Sequence, residues 1–238
     1  MKETEMIREE LKRIGNENKA QKIKDYLKSP YQFYGVSVPD LRKIARDYSN
    51  LDFYSTLDLF EELWNSNNHE EMSLALYLIE KNFKKDQITS WNFLIKKINR
   101  IKTWDHSDEL SGILGKILRE NLSLMREIKM MSEDKNPWIR RISIVSTLFL
   151  IKANKIELTL KLAEKLIYDE DIYVQKGAGW MLREAGKKNR LTIRNFILNH
   201  LDMKSYVFSY ATEKMTELRE IKKRYIKEQK EKIKGELI

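Results

Sequence analysis

A short polar turn followed by an apolar helix recurs along this chain at a nearly fixed spacing, and that recurrence constrains the fold more than any other feature. Asp134-Lys-Asn-Pro-Trp-Ile-Arg-Arg141 and Asp169-Glu-Asp-Ile-Tyr-Val-Gln-Lys176 align with a shift of about 35 residues, inside the range of helical repeats. The same shift carried toward the N-terminus leads from Arg141 to His106 and on to Glu71 in Asn68-His-Glu-Glu-Met-Ser-Leu-Ala, so the unit occurs about four times. One face of the repeats is then expected to carry Glu71, His106, Arg141 and Lys176 in register, growing more basic toward the C-terminal half. A single such unit cannot bury its apolar face alone; stacked neighbours bury it together.

Inside the repeats the apolar residues follow helical spacing, as in Leu74, Leu78 and Ile79, or from Ile142 and Val145 through Leu148 to Ile151. Only 8 Gly and 3 Pro punctuate 238 residues, and strand-type alternation is nowhere sustained. Polar turns at Asn65-Ser-Asn-Asn68, Ser132-Glu-Asp-Lys-Asn136 and Tyr168-Asp-Glu-Asp171 separate the helices. The expected fold is all-α: a HEAT-like α-solenoid of stacked antiparallel helix pairs with a concave basic face, forming one domain over 1–238. Residues 1–29 read as a charged amphipathic helical lead-in. After them Pro30, Gly35 and Pro39 mark a loop that feeds a helix with Pro39 near its first turn. The tail 218–238, with eight Lys or Arg against four Glu, reads as a basic, solvated capping helix. Trp64, Trp91 and Trp138 sit in apolar patterns and are expected in the core.

The 45 basic residues outnumber the 36 acidic ones, for a net charge of +9. That excess favours a polyanionic partner without requiring one. With no cysteine, disulfides and thiolate metal sites are excluded. The three histidines, His69, His106 and His200, show no metal-ligand spacing along the chain, so neither a metal nor another cofactor is expected. The N-terminus is charged and lacks the apolar core of a signal peptide. No stretch approaches the roughly 20 apolar residues of a membrane span. The expectation is a soluble, cytoplasmic monomer, associated with the nucleoid if its partner is DNA.

Two stretches hold the candidate chemistry, Thr103-Trp-Asp-His-Ser-Asp108 and Tyr173-Val-Gln-Lys-Gly-Ala-Gly-Trp-Met-Leu-Arg-Glu184. Each places an aromatic and a charged side chain on one helical face, Trp104 with Asp108 at i,i+4 and Trp180 with Arg183 at i,i+3. Such faces suit a cationic group held against π surfaces beside a carboxylate. Plainer readings stand beside this one. Trp104 and Trp180 are equally at home as packing residues, Asp108 as an acid complementing a helix N-terminus, and Arg183 with Glu184 as an exposed pair. Arg140 and Arg141, one turn into a helix starting near Pro137, suit either phosphate contact or solvation beside Glu133 and Asp134. Tyr26, among Lys24, Asp25 and Lys28, is a helix-face aromatic open to either role.

Taken in order, Tyr26, Phe33-Tyr-Gly-Val-Ser-Val-Pro39, Trp104-Asp-His-Ser-Asp108, Pro137-Trp-Ile-Arg-Arg141 and Gln175-Lys-Gly-Ala-Gly-Trp-Met-Leu-Arg-Glu184 resemble the AlkD-type DNA alkylation-repair glycosylases, over roughly residues 20–215. The resemblance implies a solenoid that grips duplex DNA and excises cationic N3- or N7-alkylated purines, such as 3-methyladenine and 7-methylguanine, while the lesion stays in the base stack. It carries the catalytic positions onto Trp104, Asp108 and Trp180, with Tyr26, Arg141 and Arg183 as DNA-contacting or supporting residues. Arg140 and Lys176 join them as basic candidates. No lysine is singled out as a Schiff-base nucleophile, so strand cleavage is not expected. The chain departs from the family pattern in having Thr103 before Trp104 where close relatives pair two tryptophans, and in lacking basic residues in Ser205-Tyr-Val-Phe-Ser-Tyr-Ala211. A non-catalytic DNA-structure-binding module and a protein-interaction scaffold are the rival functions.

Overall fold

A computed structural model describes residues 3–236, with side chains through residue 232. The chain folds into two compact units, residues 1–117 and 118–238. The first holds α1 (Glu3–Ile14), α2 (Glu17–Leu27), α3 (Val38–Asp47), α4 (Phe53–Trp64), α5 (His69–Asn82), α6 (Gln87–Ile95) and most of α7 (Trp104–Glu120). The second holds α8 (Met125–Met131), α9 (Pro137–Val145), α10 (Leu148–Lys152), α11 (Glu157–Leu166), α12 (Ile172–Gly186), α13 (Arg190–Asn199), α14 (Ser205–Ala211) and α15 (Leu218–Glu236). Among the described residues every regular element is a helix, and the only β-bridge pairs Gln32 with Asn68. The all-α expectation is met.

Helix starts are set by the polar turns. Asn68 Oδ1 accepts from the amides of Glu70 and Glu71 at 3.0 and 3.2 Å, and Asn136 Oδ1 from Trp138 at 3.0 Å with Pro137 as the first helical residue. Asp171 accepts from Tyr173 and Val174 at 2.8 and 3.1 Å. Each cap satisfies amides that have no partner within the helix and contributes about 1 kcal/mol. Because α5, α7, α9 and α12 begin at His69, Trp104, Pro137 and Ile172, successive starts lie 35, 33 and 35 residues apart. A uniform shift of 35 therefore misaligns the first two repeats with the last two by two residues. The fifth residues of these helices, Ser73, Asp108, Arg141 and Lys176, share a register; Glu71 and His106 do not belong to it.

In the first unit α5 packs against both α3 and α4, and its residues Met72 through Ile79 are all buried. A helix apolar on all sides is a central one. At its start Glu70, buried, takes the amides of Tyr34, Gly35 and Val36 at 3.2, 2.7 and 3.3 Å and so fixes the loop between α2 and α3. Gly35 has φ +81°, and a Cβ there would lie 2.0 Å from the carbonyl oxygen of Asn16. Only glycine fits that turn. Ser37 then caps α3 and Pro39 occupies its first turn, as the sequence predicts. The lead-in 1–29 is not one helix. It breaks at Gly15–Asn16, where Asn16 donates its amide to the Tyr34 carbonyl (2.8 Å) and its side chain caps α2.

In the second unit α12 packs against α9, α11, α13 and α14. A Cβ at Gly179 would sit 2.6 Å from the Val207 carbonyl oxygen, so the close approach of α12 to α14 depends on this glycine. The apolar window from Ile142 to Ile151 spans two helices, not one. Ser146 and Thr147 interrupt it, the Thr147 hydroxyl donating to the Ile144 carbonyl at 2.7 Å and accepting from Thr159 at 2.9 Å. Hydroxyl side chains that bond local carbonyls compete with helix propagation. Trp64 and Trp91 are fully buried, as expected. Trp138 is not a core residue: it is half-buried and packs on Tyr173, its repeat equivalent, with ring centroids 5.0 Å apart. The tail is helical through Glu236, mostly solvated along its described side chains; the last two residues of the tail lie outside the described range.

Candidate active site

Trp104 opens α7, Asp108 follows one turn later, and Gly112 one turn beyond that, all half-buried on one stripe. A Cβ at Gly112 would meet nothing within 4 Å, so the stripe faces open space there. Tyr26, from the last turn of α2 and 72% exposed, stands edge-on to the Trp104 indole, with centroids 6.0 Å apart and planes at 84°. Aromatic rings prefer this edge-to-face arrangement. Three of the residues singled out in the sequence, Tyr26, Trp104 and Asp108, thus share one end of α7, although α2 and α7 are far apart in the chain.

The same two turns of α7 carry a second set of polar groups that the sequence reading left unassembled. His106 is fully buried, its Nε2 3.0 Å from Ser73 Oγ and 3.2 Å from the His69 carbonyl oxygen. His69, also buried, is stacked between Phe33 and His106 at centroid distances of 4.6 and 4.1 Å. Burial, reinforced by the adjacent His69, pushes His106 down to about 3, so its imidazole is neutral. Burial would raise the Asp105 carboxyl, but its contact with His69 and the proximity of His106 override that and hold it well below the usual carboxylate range. Glu109 goes the other way. Desolvation outweighs a hydrogen bond from Tyr77, and with Asp105 nearby it lifts the carboxyl to about 8. Within five residues, Asp105 is thus held as a carboxylate while Glu109 holds its proton up to about 8.

In the second unit, Tyr173, Lys176, Trp180 and Arg183 form a half-buried stripe along α12, spaced three, four and three residues apart. Lys176 Nζ lies over the rings of Tyr173 and Tyr206 at 5.6 and 5.2 Å, which leaves its charge at an aromatic surface. Arg183 pairs with Glu184 at 3.2 Å and with Glu213. Arg141 is buried and donates to the Tyr173 carbonyl. Arg140 grips Asp169 through two bonds of 2.6 and 2.9 Å and the carbonyls of Asp134 and Lys135 at 2.8 and 3.0 Å. It ties one inter-helix turn to the next. Both arginines of the Arg-Arg pair thus have structural roles inside their own unit, and Lys176 is the candidate cation placed at an aromatic surface.

The fold and the α7 stripe define a helical-repeat protein with an aromatic and acidic surface site. The model of the DNA alkylation repair enzyme family matches residues 7–215, and the chain belongs to that family. A search of curated proteins gives no match. Among solved structures, one described as a predicted DNA alkylation repair enzyme from Enterococcus faecalis is 17% identical, with 84% of this chain and 96% of that chain covered and a TM-score of 0.73. AlkD2 from Streptococcus mutans is 18% identical, with 75% and 90% covered and a TM-score of 0.60. The protein smu.31 from Streptococcus mutans UA159 is 19% identical, with 85% and 98% covered and a TM-score of 0.60. At these identities the likeness is one of fold.

Proposed function

We propose that this protein is a monofunctional DNA glycosylase that hydrolyses the N-glycosidic bond of cationic N3- or N7-alkylated purines in duplex DNA. The observation that carries the reading is the edge-to-face contact of Tyr26, from α2, with Trp104, which stands one turn ahead of Asp108 on α7, in a member of a DNA alkylation repair family. An N3- or N7-alkylpurine already bears a positive charge, so it departs without a general acid or a Lewis acid. As the C1′–N bond breaks, its electron pair neutralises the purine and positive charge develops on the sugar, as in glycoside hydrolysis. Asp108 stabilises that charge and orients the water that adds to C1′, taking up its proton. Trp104 offers a π face to the cationic sugar or base, worth about 0.5–2 kcal/mol, so the carboxylate supplies the larger share. The site lies on a half-exposed stripe, which suits a sugar-phosphate backbone approached from outside with the lesion left in the stack. Trp180 is proposed as a catalytic residue on the resemblance alone.

The charge of the leaving group sets the test. Duplexes carrying 7-methylguanine or 3-methyladenine should lose the base to the enzyme in a single turnover. A duplex carrying an uncharged alkylated base should not, because without the positive charge the purine needs protonation that the site does not supply. Equal release of charged and neutral lesions contradicts this mechanism. Tight binding to every duplex with no release points instead to a non-catalytic DNA-structure-binding protein.

A further inference from the structure

We infer that the sugar–phosphate backbone of a bound DNA strand crosses α7 at Gly112, where the missing side chain lets a phosphate reach the positive charge that Arg42 and Lys116 hold around Glu80. That the partner is DNA rests on the reading above; the path of the strand beside Asp108 rests on the glycine and its surroundings. Gly112 stands midway along the 17 residues of α7, on the half-buried stripe that begins with Trp104 and Asp108. Glycine in a helix interior costs stability relative to alanine. Nothing among the described residues calls for it here: its φ is not positive, and a Cβ would meet no other group within 4 Å. At Gly15, Gly35 and Gly179, by contrast, a Cβ would come to 2.6 Å or less from a backbone carbonyl oxygen. A helical glycine with open space before it suits the close approach of a ligand's own backbone.

The surroundings fit a phosphate. One turn after Gly112, Lys116 reaches across to α5 and pairs with Glu80 at 2.7 Å. Arg42 of α3 takes the other oxygen of the same carboxylate at 3.2 Å and lies over the Tyr77 ring at 4.2 Å. Two cations thus share one carboxylate, and the Lys116 and Arg42 side chains keep 29% and 44% of their surface exposed. Glu109, one turn before Gly112, is engaged by Tyr77 and holds its proton up to about 8, so it adds no opposing charge at neutral pH. All of these groups belong to the first unit. Asp108 precedes Gly112 by about 6 Å along the helix axis, the distance scale of a single nucleotide. A strand whose lesion sugar meets Asp108 passes its neighbouring phosphate over Gly112 toward Lys116, and a side chain at 112 would stand between the two. Phosphate contacts of this kind fix the register of a protein on a duplex.

The test is read on undamaged duplex DNA by fluorescence anisotropy over a range of salt, with thermal melts of each full-length protein alongside. Gly112→Ala should raise the unfolding midpoint by about 1–4 °C, since the helix gains and nothing clashes. Gly112→Leu should stay folded, bind roughly 10-fold more weakly and lose about 0.9 from the log–log salt slope, the share of one phosphate. Lys116→Gln should lose the same share of slope without added bulk. A lower midpoint in Gly112→Ala would show that the fold itself requires the glycine and overturns the strand path. So does wild-type affinity and slope in Gly112→Leu, or a wild type that binds no duplex. Base release is a separate readout. Release of 7-methylguanine by the wild type, with binding unchanged in Gly112→Leu, overturns the strand path and leaves the glycosylase reading standing; weakened binding by Gly112→Leu, with no release by the wild type, does the reverse.

Discussion

Glu109 is the residue with the clearest pH signature. Between pH 4.5, its ordinary value, and about 8 the folded protein keeps a proton that the unfolded chain has given up. Stability contributed by the neutral carboxyl is thus complete below 4.5 and is lost as pH rises toward 8, by up to about 1.4 kcal/mol per pH unit. Glu109→Gln should flatten that slope in denaturant melts across pH 5–8; a wild-type slope that persists in the variant would show that other groups set it. At this scale the sequence was partly legible. Trp104 and Asp108 stood out through their i,i+4 spacing, and the structure puts them on one stripe. The Tyr26–Trp104 contact was not legible, because nothing in local spacing encodes which side chains meet across distant helices. Arg140 and Arg141 drew attention through type and position. Their intramolecular partners, Asp169 and the Tyr173 carbonyl, lie 29 and 32 residues on and became visible only with the fold.

At the scale of elements, Gly179 sets how closely α12 approaches α14. Its replacement by alanine would force a methyl group to 2.6 Å from a backbone carbonyl, which cannot swing away as a side chain does. Gly179→Ala should lower unfolding free energy by about 1–3 kcal/mol, read from the denaturation midpoint; an unchanged midpoint would mean that the two helices are less tightly engaged than the structure places them. Removing a cap acts at the N-terminus of the same helix. Asp171→Ala should cost about 1 kcal/mol, measured the same way, since two amides lose their acceptor. Helix starts were legible because Asn and Asp before an apolar run carry a physical signal. The spacing of 33 residues from α7 to α9 was not, because two aligned turns reveal only the step between themselves. The break at Ser146–Thr147 escaped for a similar reason: apolar periodicity continues through it while the hydroxyls redirect the backbone hydrogen bonds.

For the whole molecule, a net charge of +9 in a DNA alkylation repair family predicts binding to duplex DNA dominated by phosphate contacts. The affinity for an undamaged duplex should fall with a log–log salt slope of roughly −0.9 per phosphate neutralised, or about −3.6 for four contacts. A slope near zero would remove electrostatic gripping from the account. The fold class was legible from few breakers, helical periodicity and recurring turns, each of which reports on the backbone directly. The chemistry was legible only through motif order, since excision depends on how Asp108 meets a bound sugar. The most direct test of that claim is single-turnover release of 7-methylguanine from duplex DNA by the wild type and Asp108→Asn in parallel. The wild type should release the base, Asp108→Asn should lose about 100-fold or more of that rate, and both should bind DNA equally. Equal release by the two proteins would contradict it.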